Sequence, residues 1–153
     1  MKRVFIILAV CLATLSAVAQ NRGTKPTNTV QATNDSATFI GHLYNKEYNV
    51  YIQMDFYHNN VMVPHQEVFG EMPGFFGDNQ DARKWLFTDA EITSPTSAII
   101  SIINDYGSED LTASLTKKNH NVYILKQLDG STIKIARNHK WVKLPKVLEF
   151  FKK

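Results

Sequence analysis

The side chains best suited to holding a metal are Asp55, His58, His65 and Glu67, which flank a turn-forming Asn59-Asn60 pair. Imidazole nitrogen and carboxylate oxygen are zinc donors, and folding back residues 59–64 would bring both kinds together. Their spacing matches no metal-binding motif, and 5 histidines are ordinary in a chain of 153 residues, so they read as surface histidines beside a turn. A second cluster, Asn104-Asp105-Tyr106-Gly107-Ser108-Glu109-Asp110, concentrates oxygen donors of the kind calcium takes in a flexible loop. It lacks the alternating Asp/Asn spacing of an EF-hand and reads as a solvated turn. Glu109 with Asp110 or Asp105 would be a carboxylate pair for hydrolysis. Neighbouring residues of a strand point to opposite faces, however, so Glu109 and Asp110 do not share a substrate if a strand begins there.

Nucleophiles are scarce. The chain has no Gly-x-Ser-x-Gly elbow and no phosphate-cradling glycine loop, and its single cysteine, Cys11, lies in an apolar N-terminal segment. The expectation is a protein that is not an enzyme and carries no cofactor and no metal. A net charge of +3 falls to about +1 once Lys2 and Arg3 are set aside, and the remaining lysines are scattered. Nucleic acid is therefore not an expected partner, since its binders concentrate basic residues on one face.

The stretch that best suits binding is 68–76, with Trp85 and Phe87 downstream. Gly70, Gly74 and Gly77 with Pro73 argue against a regular central strand, so 70–77 is expected to be a loop carrying Met72, Phe75 and Phe76. Two readings stand for it. At a barrel mouth such a loop is a lid or docking surface, making Met72, Phe75, Phe76, Trp85 and Phe87 the candidate ligand- or partner-binding residues. Alternatively, Phe75 and Phe76 plug the barrel end as core.

These residues need a scaffold, and residues 50–57 announce it. Val50, Ile52, Met54 and Phe56 alternate with Tyr51, Gln53, Asp55 and Tyr57, which describes a strand with one buried face. Shorter pieces repeat the pattern near 38–44, 61–69, 84–93, 98–104, 110–117, 122–128 and 131–137. In 84–93, Leu86, Thr88, Ala90 and Ile92 share one face, with Trp85 and Phe87 on the other. Residues 98–103 are apolar on both faces, as in a strand buried in the middle of the sheet or covered from outside. Asp129-Gly130 is the strongest hairpin signal, returning the chain into a strand with Ile133 and Ile135 inward. The expectation is all-β: one antiparallel up-and-down barrel of about eight strands over 37–153, with a two-sheet sandwich as the alternative. Residues 141–144 add a strand, and 146–153, after Pro145, form one or two turns of helix packing Val147, Leu148, Phe150 and Phe151 on the barrel.

Residues 1–19 read as a signal peptide. Lys2 and Arg3 precede an apolar run of about 15 residues, shorter than the roughly 20 of a membrane span, and Ala17-Val18-Ala19 supplies a cleavage site. Val10 before Cys11 fits a lipidation site poorly. Cleavage leaves no cysteine and no membrane span, and directs the chain to the periplasm or beyond. Residues 20–36 are polar and poor in apolar side chains, the composition of a flexible leader. At its end, Asp35-Ser36-Ala37 resembles an O-glycosylation acceptor of some exported bacterial proteins.

A signal peptide, a polar leader, an opening Phe39-Ile40-Gly41-His42-Leu43 strand and a run of meandering hairpins resemble small exported bacterial proteins of unknown function with lipocalin-like barrels. The resemblance covers about 38–144. Lipocalins proper carry Gly-x-Trp near the first strand. Gly41-His42-Leu43 departs from that, so no ligand-binding residues carry over. What the resemblance implies is a barrel with a cavity. The expected function is an exported binding module taking a small apolar ligand or a protein partner at the barrel mouth. The alternative is a structural or interaction protein of the cell envelope with a filled barrel, working through an outer face that includes Tyr51, Gln53, Asp55 and Tyr57.

Overall fold

Alternation decides the architecture. In the computed structural model, which describes residues 37–153, the strand β2 (Val50–Asp55) buries Val50, Ile52 and Met54 and leaves Tyr51, Gln53 and Asp55 partly exposed. It pairs with β1 (Ile40–Asn45) and β5 (Gly74–Asp78). The wall continues through β6 (Lys84–Ser94), β7 (Ser97–Asn104), β8 (Asp110–Lys117), β9 (Val122–Gly130) and β12 (Val147–Lys152), and β12 pairs back onto β1 to close the barrel. Every wall strand is antiparallel to its neighbours and lies beside the next wall strand in the chain, an up-and-down closed barrel of eight strands. The expected signal peptide and leader, Cys11 and the Asp35-Ser36 part of the expected glycosylation acceptor lie outside the described residues.

Inward side chains fill the barrel. Leu43, Ile52, Phe76, Phe87, Ile100, Leu115, Leu125 and Phe150 belong to one contiguous buried cluster. The rings of Phe76 on β5 and Phe150 on β12 meet edge to face at 6.2 Å, although two strands separate them around the wall. Lower down, Phe56 stacks on Phe39 at 5.6 Å and meets Phe87 at 6.2 Å. An eight-stranded barrel is just wide enough for such side chains to occupy its interior.

Two inserts interrupt the meander, and five expectations need correction. Residues 70–77 are not a loop: they form β4 (Glu71–Met72) and the wall strand β5. The glycines serve close approach rather than turning, because a Cβ at Gly74 would lie 2.3 Å from the Gln53 carbonyl oxygen and one at Gly77 would lie 2.4 Å from the Tyr51 ring. Residues 61–69 supply no wall strand. They give β3 (Val61–Met62), paired only with β4, and a single 3-10 turn at Glu67–Phe69. Residues 131–137 leave the wall: Asp129-Gly130 ends β9, and β10 (Lys134–Arg137) pairs with β11 (Lys140–Lys143) as a separate hairpin. The C-terminal residues form β12 rather than a helix, since Leu148 and Phe150 alternate inward while Val147, Glu149 and Phe151 face out. In β6 the register shifts between Phe87 and Asp89, so Trp85 and Phe87 face inward above the bulge and Ala90 packs on the core below it.

The two glycines of β5 separate by what they approach. Gly74→Ala meets backbone that cannot move without breaking the β2–β5 ladder, and should cost on the order of 3 kcal/mol. Gly77→Ala meets the end of a tyrosine side chain that rotates away, and should cost about 1 kcal/mol. Urea unfolding of the two variants checks the order; equal losses would contradict it.

Candidate functional site

One end of the barrel collects the turn between β1 and β2, the loops 79–83 and 105–109, and the β10–β11 hairpin. The hairpin turns at Asn138-His139, whose φ values of 50° and 62° are those of a two-residue type I′ turn. Gln127, buried on β9, holds the two legs of this segment. Its Oε1 accepts from Ile133 N at 2.8 Å, and its Nε2 donates to Pro145 O at 2.8 Å. Ile133, Ile135 and Leu144 then sink into the core and cap the barrel.

Ion pairs fix the hairpin over the rim. Arg137 donates through Nη1 to Asp78 Oδ2 at 2.5 Å, through Nη2 to Asp78 Oδ1 at 3.1 Å, and again to the Tyr48 carbonyl at 2.6 Å. Such a bidentate fork sets orientation as well as attraction. Lys134 Nζ donates to Glu109 Oε1 at 2.5 Å, and its carbonyl accepts from Trp85 Nε1 at 3.2 Å. The Arg83 guanidinium lies 4.2 Å from the centroid of the Trp141 ring and donates through Nε to Asp81 Oδ1 at 2.7 Å.

Between these groups lies a cavity of about 330 Å³. Phe76, Trp85 and Ile135 give it an apolar floor. Asp81, Arg83, Lys84, Asp105, Glu109 and Trp141 form much of its wall. The hydrogen bonds from Arg83 hold Asp81 well below the usual carboxylate range, at about 2. Burial lowers the Lys84 ammonium from its ordinary value, against the opposing pull of Asp78, Asp81 and Asp105.

The five residues expected to bind fall in three places. Phe76 and Trp85 reach the cavity floor. Phe87 is deeper in the core against Phe56. Met72 and Phe75 lie on the outside of the wall, in a small cluster with Val63 and Leu86 under the β3–β4 hairpin. Phe75 is 4% exposed and Phe76 1%, so they are packing residues and form neither a lid nor a docking surface. The apolar side chains that do face solvent from that segment are Met62, Val68 and Phe69, at the opposite end of the barrel from the cavity. On the outer face, Tyr51 is partly covered by Phe75 at 5.8 Å and by His42 at 5.1 Å.

Sequence reasoning missed Arg83, Lys84, Tyr106, Lys134, Arg137 and Trp141. A usable signal existed: Asn138-His139 separates Lys134-Ile135-Ala136-Arg137 from Lys140-Trp141-Val142-Lys143, two matching stretches in which basic residues flank an apolar pair, as the two arms of a short hairpin would. The metal candidates do not converge. His58 Nδ1 and Asp55 Oδ2 are 2.9 Å apart, whereas Glu67 accepts from the His65 backbone. No group of three or more His, Cys, Asp or Glu among the described residues is placed to hold a metal ion. In the 104–110 segment, Asn104 Oδ1 accepts from Ser108 N at 2.9 Å and Glu109 N at 3.3 Å, closing the loop on itself.

The class defined is a closed eight-stranded meander with one end capped by a hairpin and a polar, aromatic-lined cavity beside the cap. No protein-family model, curated protein or solved structure matches the chain. No helix among the described residues is long and apolar enough to cross a membrane.

The Asp81–Arg83 pair has a pH signature. A carboxylate with a depressed folded-state pKa adds stability that is present above its unfolded value and is lost as pH falls through its folded value. This contribution should therefore be intact above about pH 4 and fade toward about pH 2. Asp81 and Arg83 are 19% and 36% exposed at the side chain, so solvent screens the pair and the contribution is about 1 kcal/mol or less. Asp81→Asn should remove that part of the acid limb in urea unfolding measured between pH 5 and pH 2. An unchanged limb would contradict the assignment.

Proposed function

We propose that this chain is an exported, non-enzymatic binding module whose working site is the hairpin-capped mouth of the barrel. One observation carries the reading: the interior is occupied by its own side chains, while an open cavity with an apolar floor and a polar wall lies at the mouth. Small-molecule sites have this character, largely preformed and apolar with a few convergent polar groups. The ligand is accordingly amphipathic and seated at the rim, rather than an apolar molecule swallowed by the barrel. A lipocalin-like barrel family remains part of the proposal, carried by the resemblance in the order of elements in the sequence.

Binding fits the mouth better than catalysis. A general acid or base works best with a pKa near the operating pH. Asp78, Asp81 and Glu109 are each held by a cation, and Asp81 is driven far from neutrality. Export rests on residues 1–19 and their cleavage signal.

The second reading, an interaction protein with a filled barrel, has its own support at the opposite end. There Val68 is 88% exposed, with Met62 and Phe69 also open to solvent.

The two readings part in a nuclear magnetic resonance screen of the ¹⁵N-labelled protein against small amphipathic ring compounds. Binding at the mouth should shift the indole N–H signals of Trp85 and Trp141. Trp141→Ala should abolish the shift of the remaining Trp85 indole signal and leave the melting temperature within about 2 °C, because Trp141 is 59% exposed. Shifts confined to residues 62–69 would favour the interaction protein and defeat the mouth as the binding site.

A further inference from the structure

Lys84 is the least expected member of the mouth. Lysine is almost never fully buried without a partner, yet Lys84 is only 6% exposed. Its ammonium has three N–H donors. Among the described residues one acceptor meets it, the Ala82 carbonyl at 2.8 Å, and no carboxylate stands within ion-pair distance. The residue lines the cavity, so its remaining donors are available to an oxygen placed there.

The balance of charge says what kind of oxygen. Asp78, Asp81, Asp105 and Glu109 at the cavity are matched in number by Arg83, Lys84, Lys134 and the Arg137 that grips Asp78. A ligand bearing a full charge would unbalance this set. A carboxylate or phosphate reaching Lys84 would also enter the field of the three aspartates around it. A hydroxyl both donates and accepts, so it can bridge an acid and a base without changing either. The aromatic lining supplies the other requirement. Trp141 and Tyr106 border the cavity and are largely exposed, and with the Arg83 guanidinium over one face of Trp141 the other face remains for an apolar surface beside the hydrogen-bonding groups. A pyranose has this combination, with C–H groups on its faces and hydroxyls around its edge. A planar heteroaromatic would meet the polar groups in one plane only.

We infer that the mouth takes a neutral saccharide, with the sugar ring against Trp141 and a ring hydroxyl accepting from Lys84 Nζ. The inference rests on the mouth being the binding site proposed above.

The test is a titration of the ¹⁵N-labelled protein with methyl α-glucoside, methyl β-galactoside, N-acetylglucosamine, glucuronate, glucosamine and adenine. At least one of the three neutral sugars should shift the Trp85 and Trp141 indole signals saturably, with an affinity on the order of millimolar. Glucuronate and glucosamine should bind at least tenfold more weakly. Lys84→Met keeps the length of the side chain, removes a buried charge and leaves the fold intact, so it should weaken sugar binding at least tenfold without lowering the melting temperature. Shifts at the two indoles with adenine and with none of the sugars would keep the mouth as the site and overturn the saccharide. Tighter binding of glucuronate than of the neutral sugars would also overturn it. Silence at both indoles with every probe would defeat this inference and, with the screen above, the mouth itself.

Discussion

Closure of the sheet is the constraint on which the rest of the molecule depends. The seam is short: β1 meets β12 at Leu43 opposite Lys152 and Tyr44 opposite Phe151. Asn45 reinforces it, donating through Nδ2 to Glu149 O at 2.8 Å. Without this pairing β1 and β12 would be open edges, each a row of unsatisfied backbone groups inviting another chain. With it, every inward position must fit a cylinder of fixed width. That explains why Ala98 and Ala113 sit among Phe76, Phe87, Tyr123 and Phe150: small residues on one side make room for rings on the other.

A filled cylinder still has ends. At one end the backbone of residues 37–39 crosses the opening, with Thr38 O accepting from the buried Tyr123 hydroxyl at 2.7 Å. At the other, Ile133 and Ile135 enter from the β10–β11 hairpin. The hairpin has only its own two strands for pairing, so it depends on Gln127, the Arg137–Asp78 fork and the Lys134–Glu109 pair for its position. Capping thus places cations and carboxylates around an apolar floor. The cavity follows from how the barrel is sealed, and binding at the mouth uses groups that already serve the seal.

Strong alternation made much of this legible in the sequence. The barrel, its strand count and the inward faces of β2 and β8 could be read because one buried face imposes period two, whereas β7 reads as apolar on both faces and shows its inward face only in the structure. What failed did so where a residue's usual role was set aside by packing. Gly74 and Gly77 spelled a loop but answered a demand for space under β2 and Tyr51. Asp129-Gly130 spelled a hairpin, yet Gly130 is needed where a Cβ would lie 2.5 Å from the Asp110 carbonyl oxygen. Val147, Leu148, Phe150 and Phe151 fit a helical spacing as well as a strand, and only the seam with β1 decides between them. Of the candidate site, Phe76 was visible as an aromatic among glycines and Trp85 as an aromatic downstream of them, whereas Lys84 and Trp141 come together only through the hairpin crossing that local spacing does not encode.

The central claim is that the barrel interior is filled and that the binding cavity lies at its mouth. A methyl-detected magnetic resonance titration with decanoate tests it most directly, because isoleucine methyls report both places. Ile52, Ile100 and Ile102 lie inside the wall and Ile135 at the mouth. The account predicts that the interior methyls stay unmoved up to the solubility limit of decanoate, any response being confined to Ile135. Saturable shifts of Ile52, Ile100 and Ile102 at one decanoate per chain would show an interior that opens to an acyl chain, and would contradict the account.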